Sequence, residues 1–292
     1  IYLEGGARAL NDSNGVISTG TGSAAIYGNF AGDIENSGEI YIKDNSSGIY
    51  TENSGFTENN KLISGNGNKE TGIYSVNSAG VLNSSSGEIR LTGDGNVGIY
   101  NISSTNTQND NMIFLVSSGN SKTPGIGIYS DGSISNTGNI NAGDNSIGIY
   151  NINGTVTNSG SVTAGNGGTG IYTNGGTLNL NSGSSIAVGG NNAIGVYALN
   201  QTGTLTNNSA VTIGDSSYGF VFSGSTAPVF INSQAAVTGN DSIFTFADSV
   251  LDVTNNAAVT MTGSNNIGYY LKNGGSVVNN ANITGNTGTS NI

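Results

Sequence analysis

The chain has 292 residues, 48 of them glycine, with seven Lys and Arg against 18 Asp and Glu, a net charge of −11 and no Cys, His or Trp. That balance offers no basic footprint for nucleic acid or an anionic membrane. The absence of Cys excludes a disulfide scaffold and a thiolate metal site. A hydrophobic content of 35% with regularly placed Ile and Val is too ordered for a disordered chain, and no apolar run reaches membrane-spanning length.

In chain order the sequence is a succession of Gly-Ile-Tyr copies. It opens on the tail of one, Ile1-Tyr2, and continues with Ala25-Ile26-Tyr27. Six exact copies end at Tyr50, Tyr74, Tyr100, Tyr129, Tyr150 and Tyr172. Looser ones follow: Gly195-Val196-Tyr197, Gly219-Phe220-Val221, Ser242-Ile243-Phe244 and Gly268-Tyr269-Tyr270. The mean interval is about 24 residues, the signature of a solenoid. The longest interval runs from Tyr100 to Tyr129. Both ends of the sequence fall inside the repeat, so it reads as one continuous segment, 1–292, of something longer.

The stretch from Ile147 to Gly165 is the cleanest repeat. Three short alternating runs are separated by glycine turns, which predicts three strands closing one turn of a triangular coil. Alternation puts Ile147 and Ile149 on one face, Val156 with Asn158, and Val162 with Ala164. Second-strand and third-strand hydrophobes recur six residues apart: Ile34/Ile40, Phe56/Leu62, Ile134/Ile140, Val156/Val162, Leu205/Val211, Val253/Val259 and Val277/Ile283. Two positions after the second-strand hydrophobe stands asparagine, at Asn36, Asn136, Asn158, Asn207, Asn255 and Asn279. Asn83 joins them after a two-residue slip, and Glu58 and Ser233 take the place in other coils. A buried amide needs partners, so this column predicts an asparagine ladder at one corner. The fold expected is all-β: a right-handed three-sided parallel β-helix of about 12 turns of about 24 residues.

The repeat Gly148-Ile149-Tyr150, Val156-Thr157-Asn158-Ser159-Gly160, Val162-Thr163-Ala164-Gly165 resembles the passenger repeats of type V autotransporters. In particular it is similar to the very large fusobacterial autotransporter adhesins. The resemblance covers essentially the whole chain and implies a right-handed β-helix on the extracellular side of the outer membrane, carried by a C-terminal β-barrel outside this sequence. It also implies partners: a glycan or protein receptor on host cells or on other bacteria, with end-to-end or lateral self-association as a further possibility. It transfers no binding residues, because the recurring motif is scaffold.

Candidate sites follow from departures in the pattern. The tyrosine column, including Tyr100, Tyr129, Tyr150 and Tyr172, reads either as rings lying over the glycine stripe of their own strand or as an aromatic platform for sugars; a corner that flips parity would turn Tyr inward. The long interval holds Ser103 to Asn111, in which Thr105, Asn106, Gln108, Asn109 and Asp110 read as an inserted binding loop, and Lys122-Thr123-Pro124-Gly125. The corner residues Asp44, Asp94, Asp144, Asn166 and Asp215 suit turns better than calcium, which needs six to eight oxygens. The mixed charges of the early coils (Glu35, Glu39, Lys43, Glu52, Glu58, Lys61, Lys69, Glu70, Glu88 and Arg90) read as solvated surface or a packing face.

An enzyme is the rival reading. Glycosidases need two carboxyls about 5–10 Å apart, which in a stacked coil means equivalent positions of adjacent turns. The spacing places Thr57 beside Glu35 and Lys61 beside Glu39, and Asp248 and Asp252 flank Val250 with no base. The expectation is a non-catalytic surface adhesin with no cofactor, no metal and no catalytic residue, with a purely structural stalk as the alternative.

Overall fold

A computed structural model describes residues 1–116, 123–224, 226–285 and 290–292. Every regular element among them is a strand, and no helix occurs among the described residues. The strands follow a three-beat cycle. One turn consists of Ser47–Glu52, Phe56–Asn59 and Leu62–Gly65, and each strand pairs in parallel with its counterpart one turn on. Three parallel sheets result, a three-sided β-solenoid of about twelve turns of about 24 residues. The chain divides into two compact units, Ile1–Gly143 and Asp144–Ile292, and each supplies six strands to every sheet.

The Gly-Ile-Tyr motif makes sense at the level of one strand. In Ile147–Ile152 the ladder register passes from Ile147 opposite Thr169 to Ile149 opposite Ile171. Ile147 is half-buried, whereas Gly148 and Ile149 are both buried. Strict alternation therefore fails here: Ile147 and Ile149 do not share a face. Gly148 is pressed inward, where a Cβ would sit 2.5 Å from Val162 Cγ1 and 2.5 Å from the Gly170 carbonyl. The same holds in the first unit, where a Cβ on Gly48 would lie 2.6 Å from Ile63 Cγ2 and 2.7 Å from the Gly72 carbonyl. Glycine is needed because the third sheet's core side chain occupies that space.

In the first unit the core is built from Ile26, Ile49, Ile73, Ile99 and Ile128 on the first sheet and Ile40, Ile63, Ile89, Ile113 and Ile140 on the third. The second sheet faces them with Ile34, Thr57, Val81, Thr107 and Ile134. In the second unit Ile149, Ile171 and Val196 lead to an aromatic cluster, in which Phe220 lies 4.6 Å from Phe230 and 5.6 Å from Phe244. Phe244 occupies the glycine position of its turn, and Thr245 and Phe246 the next two, since Phe220 pairs with Thr245 and Val221 with Phe246. The copy read as Ser242-Ile243-Phe244 is thus displaced by two residues: the small Thr245 leaves room for a ring where other turns have none.

The asparagine ladder is present, with a corrected membership. In the first unit each amide donates to the next, from Asn11 through Asn36, Asn59, Asn83 and Asn109 to Asn136, at 2.8 Å per step. Asn59, not Glu58, holds the column, and Asn232, not Ser233, holds it in the second unit, where Asn207, Asn232, Asn255 and Asn279 are linked at 2.8–3.0 Å. Leu180 interrupts it, paired with Asn158 on one side and Asn207 on the other. There the Asn207 side-chain oxygen accepts from the Ser209 amide instead. The second amide hydrogen reaches turn carbonyls, as from Asn59 to Lys61 and from Asn109 to Asn111, both at 3.0 Å.

The Gly-Asp corner forms another ladder. Asp44 accepts the Asn68 amide at 2.6 Å and Asn68 the Asp94 amide at 2.8 Å. In the second unit Asp144 accepts from Asn166, Asn166 from Asn191, Asp215 from Asn240 and Asn240 from Ser264, at 2.7–2.9 Å. These oxygens satisfy turn backbone one coil further on. Glu70 departs from the solvated face expected of the early charges. It is fully buried, its carboxylate filling the space left by the missing side chain of Gly65.

Candidate binding groove on the second sheet

The tyrosine column faces outward and is half-buried, but the rings do not lie on glycine. They stack on one another. Tyr74, Tyr100 and Tyr129 follow at 4.8 Å between centroids, with planes within 9°. Tyr150, Tyr172 and Tyr197 follow at 4.5 and 5.4 Å. The ring spacing equals the strand spacing of about 4.8 Å, so each interior ring has its faces covered by its neighbours. Sugar stacking needs a free face. Interior members of the column offer only ring edges and hydroxyls, and the platform expected from the sequence is not available there. Burial raises the phenol pKa of Tyr100 and Tyr172 above its ordinary value, and neighbouring tyrosines add to the shift.

The long interval is also placed differently. Asn106–Asn109 is an ordinary strand of the second sheet, paired with Ser133–Asn136, so no loop is inserted between 103 and 111. The extra length falls between Val116 and Ile126, where the third-sheet strand ends and the next turn begins; Lys122 lies outside the described residues. Of the five residues expected to bind, four have side chains engaged in the scaffold and Asn106 has its backbone carbonyl engaged. Thr105 donates its hydroxyl to the Ala79 carbonyl. The Asn106 carbonyl accepts from Asn101 at 3.1 Å, and Gln108 donates to Asp110 at 2.7 Å. Asp110 also accepts from Thr137, and Asn109 is a buried rung of the ladder.

What the register does bring together is a set of side chains on the outer face of the second sheet in the first three turns. Glu35 pairs with Glu58, and Ile34 with Thr57. Thr57 and Ile63 are fully buried while Phe56 and Leu62 are only half-buried. The inward residues of this turn are therefore Thr57 and Ile63, each one position beyond the Phe56 and Leu62 that the six-residue spacing predicts. With Thr57 inward, Glu35 and Glu58 stand directly paired on the outer face of consecutive coils, their backbones at the strand spacing of about 4.8 Å.

These glutamates line a groove of about 430 Å³ with Arg8, Leu10, Asp33 and Phe56. Arg8 is paired with Asp33 at 2.6 Å. Asp33 also accepts the Phe56 amide at 2.9 Å, which fixes the aromatic wall to the preceding turn. The Phe56 ring rests beside Gly80, where an added Cβ would meet ring carbons at 3.2 and 3.5 Å. Glu35 accepts from Ser37 at 2.7 Å and Asn60 at 3.2 Å. Leu10 stands 58% exposed at the rim. The volume falls within the range of small-ligand sites.

No family model matches the chain, and neither a curated protein nor a solved structure does. The signal that would have found the groove was present in the sequence: Asn59 and Ile63 both fit their columns if threonine is allowed at the inward position of the second strand. No group of three or more His, Cys, Asp or Glu able to hold a metal ion occurs among the described residues.

Proposed function

We propose that this chain is a non-catalytic binding segment of a bacterial surface adhesin, which attaches to a receptor on host cells or other bacteria. The observation that carries this reading is the contrast between saturated repeat columns and the groove. Tyrosine, asparagine and corner aspartate are spent on their own copies in neighbouring coils, whereas Arg8, Leu10, Phe56 and Glu58 belong to no repeat and converge on one concavity. The solenoid then works as a rigid frame that presents the groove. The resemblance of its repeats to autotransporter passengers supports a place on the extracellular side of the outer membrane.

Catalysis is the weaker reading. The basic group in the groove is a guanidinium already paired with Asp33, and the chain has no histidine to serve beside the two glutamates. A structural stalk is favoured by one specific observation: the ladders run through turn after turn with little variation. Beads coated with the protein, applied to host cells and to partner bacteria, separate the readings. Attachment of beads bearing the folded protein is the expected result. No attachment, with the circular dichroism of the fold intact, would make the segment a shaft, and release of reducing ends from surface glycans would make it an enzyme.

A further inference from the structure

We propose that the groove receives a cationic side chain, a guanidinium or ammonium group carried on a basic peptide segment of the partner; this rests on reading the chain as a binding segment. Arg8 and Asp33 cancel, which leaves Glu35 and Glu58 as two like charges on directly paired residues. Such pairs destabilise a sheet unless something neutralises them. Lys61 is engaged elsewhere, 3.5 Å from Glu39 and 3.0 Å from the Ser13 carbonyl. Glu35 is oriented by Ser37 and Asn60, while Glu58 has no side-chain partner among the described residues. A cation set between the two carboxylates relieves their repulsion and gains charge-assisted hydrogen bonds.

The walls suit the same guest. Phe56 presents an aromatic ring to the groove, and a cation over a phenylalanine face is attracted by the ring quadrupole. The exposed Leu10 gives the aliphatic stem of an arginine or lysine an apolar surface. Asp33 holds both Arg8 and the Phe56 backbone, so the groove is formed before the guest arrives. The net charge of −11 steers basic segments toward the molecule.

The test is binding of a fluorescein-labelled penta-arginine peptide, read by anisotropy in low and high salt, with neutral oligosaccharides as a second probe. Glu35→Gln combined with Glu58→Gln is expected to lose about tenfold or more in affinity. Asp241→Asn combined with Asp252→Asn removes the same charge on the second unit and is expected to change it by less than about twofold. Both variants keep side-chain volume, and melting curves verify their folds. Chemical-shift changes on adding peptide should centre on the amides of Glu35, Phe56 and Glu58. Equal losses in the two variants, or no loss in the first, would overturn the proposal, since attraction would then follow net charge. Oligosaccharide binding that depends on Glu35 and Glu58 without peptide binding would overturn the cationic guest while leaving the binding reading intact. Bead attachment unaffected by the glutamate substitutions would likewise refute the groove but not the adhesin, whereas loss of all attachment by the native protein would refute the adhesin itself.

Discussion

Asn83 shows how one side chain serves several coils. Its amide donates to Asn109 at 2.8 Å and to the Gly87 carbonyl at 3.2 Å, and its oxygen accepts from Asn59 at 2.8 Å. Replacing it by alanine leaves buried groups on both neighbours unsatisfied. Asn83→Ala is expected to cost about 1–3 kcal/mol, seen as a lower denaturation midpoint; an unchanged midpoint would remove the ladder from the account. Glu70 gives the opposite kind of test. Burial raises its pKa above the ordinary carboxylate value; the Gly67 amide opposes this, nearby Asp44 adds to it and Lys43 opposes it. One carboxylate oxygen has no hydrogen-bond partner. Folding therefore favours the protonated acid. Its stabilising contribution is complete below the ordinary carboxylate range and is lost as pH rises through the raised folded value. Glu70→Gln is expected to raise the melting temperature at pH 8 and to change it little at pH 4; a gain of equal size at both would contradict the buried acid. The asparagine column was legible from sequence because its spacing recurs, but Glu70 was not. Its burial depends on the gap left by Gly65 at the end of the preceding strand, which only the path of the turn between them reveals.

At the level of the strand, the inward glycine of Gly-Ile-Tyr is the element that sets the coil. Gly148→Ala would drive a Cβ against Val162 and the Gly170 carbonyl, and overpacking of this kind is expected to cost about 1–3 kcal/mol. Pairing it with Val162→Ala should recover only part of the loss, because the backbone contact remains; full recovery would show that the side chain alone sets the constraint. Period-two alternation predicts these strands and their sheets, yet with Ile147 and Ile149 on one face it sets Gly148 on the other, because alternation cannot reveal that two successive residues turn inward. The error at Phe56 has a different cause. Hydrophobicity points to phenylalanine as the inward residue, but in that turn threonine occupies the core while phenylalanine is kept outside beside Gly80. With Phe56 inward, Glu35 would lie beside Thr57 instead of Glu58, and the groove would not form. The expected loop at 103–111 failed for the reverse reason: polar residues there are a regular strand, and the ladder consumes its asparagine.

At the scale of the molecule, a solenoid is stabilised by contacts between adjacent turns, so it should tolerate removal of a whole turn and resist removal of part of one. Deleting residues 151–172, the interval from Tyr150 to Tyr172, preserves every column. That variant is expected to keep its β-rich circular dichroism with a modestly lower melting temperature, whereas deleting 151–161 should abolish cooperative melting of the second unit. The central claim is the register that places Glu35 against Glu58, and the absence of cysteine from the chain allows it to be tested cleanly. Directly paired parallel strands bring Cα atoms to about 4.8 Å, inside the disulfide range of about 4.4–6.8 Å. Under mild oxidation Glu35→Cys with Glu58→Cys is expected to form an intramolecular disulfide, and Glu35→Cys with Thr57→Cys to remain reduced, because Thr57 faces the core. Cross-linking of the second pair and not the first would put Glu58 on the other face and dissolve the groove.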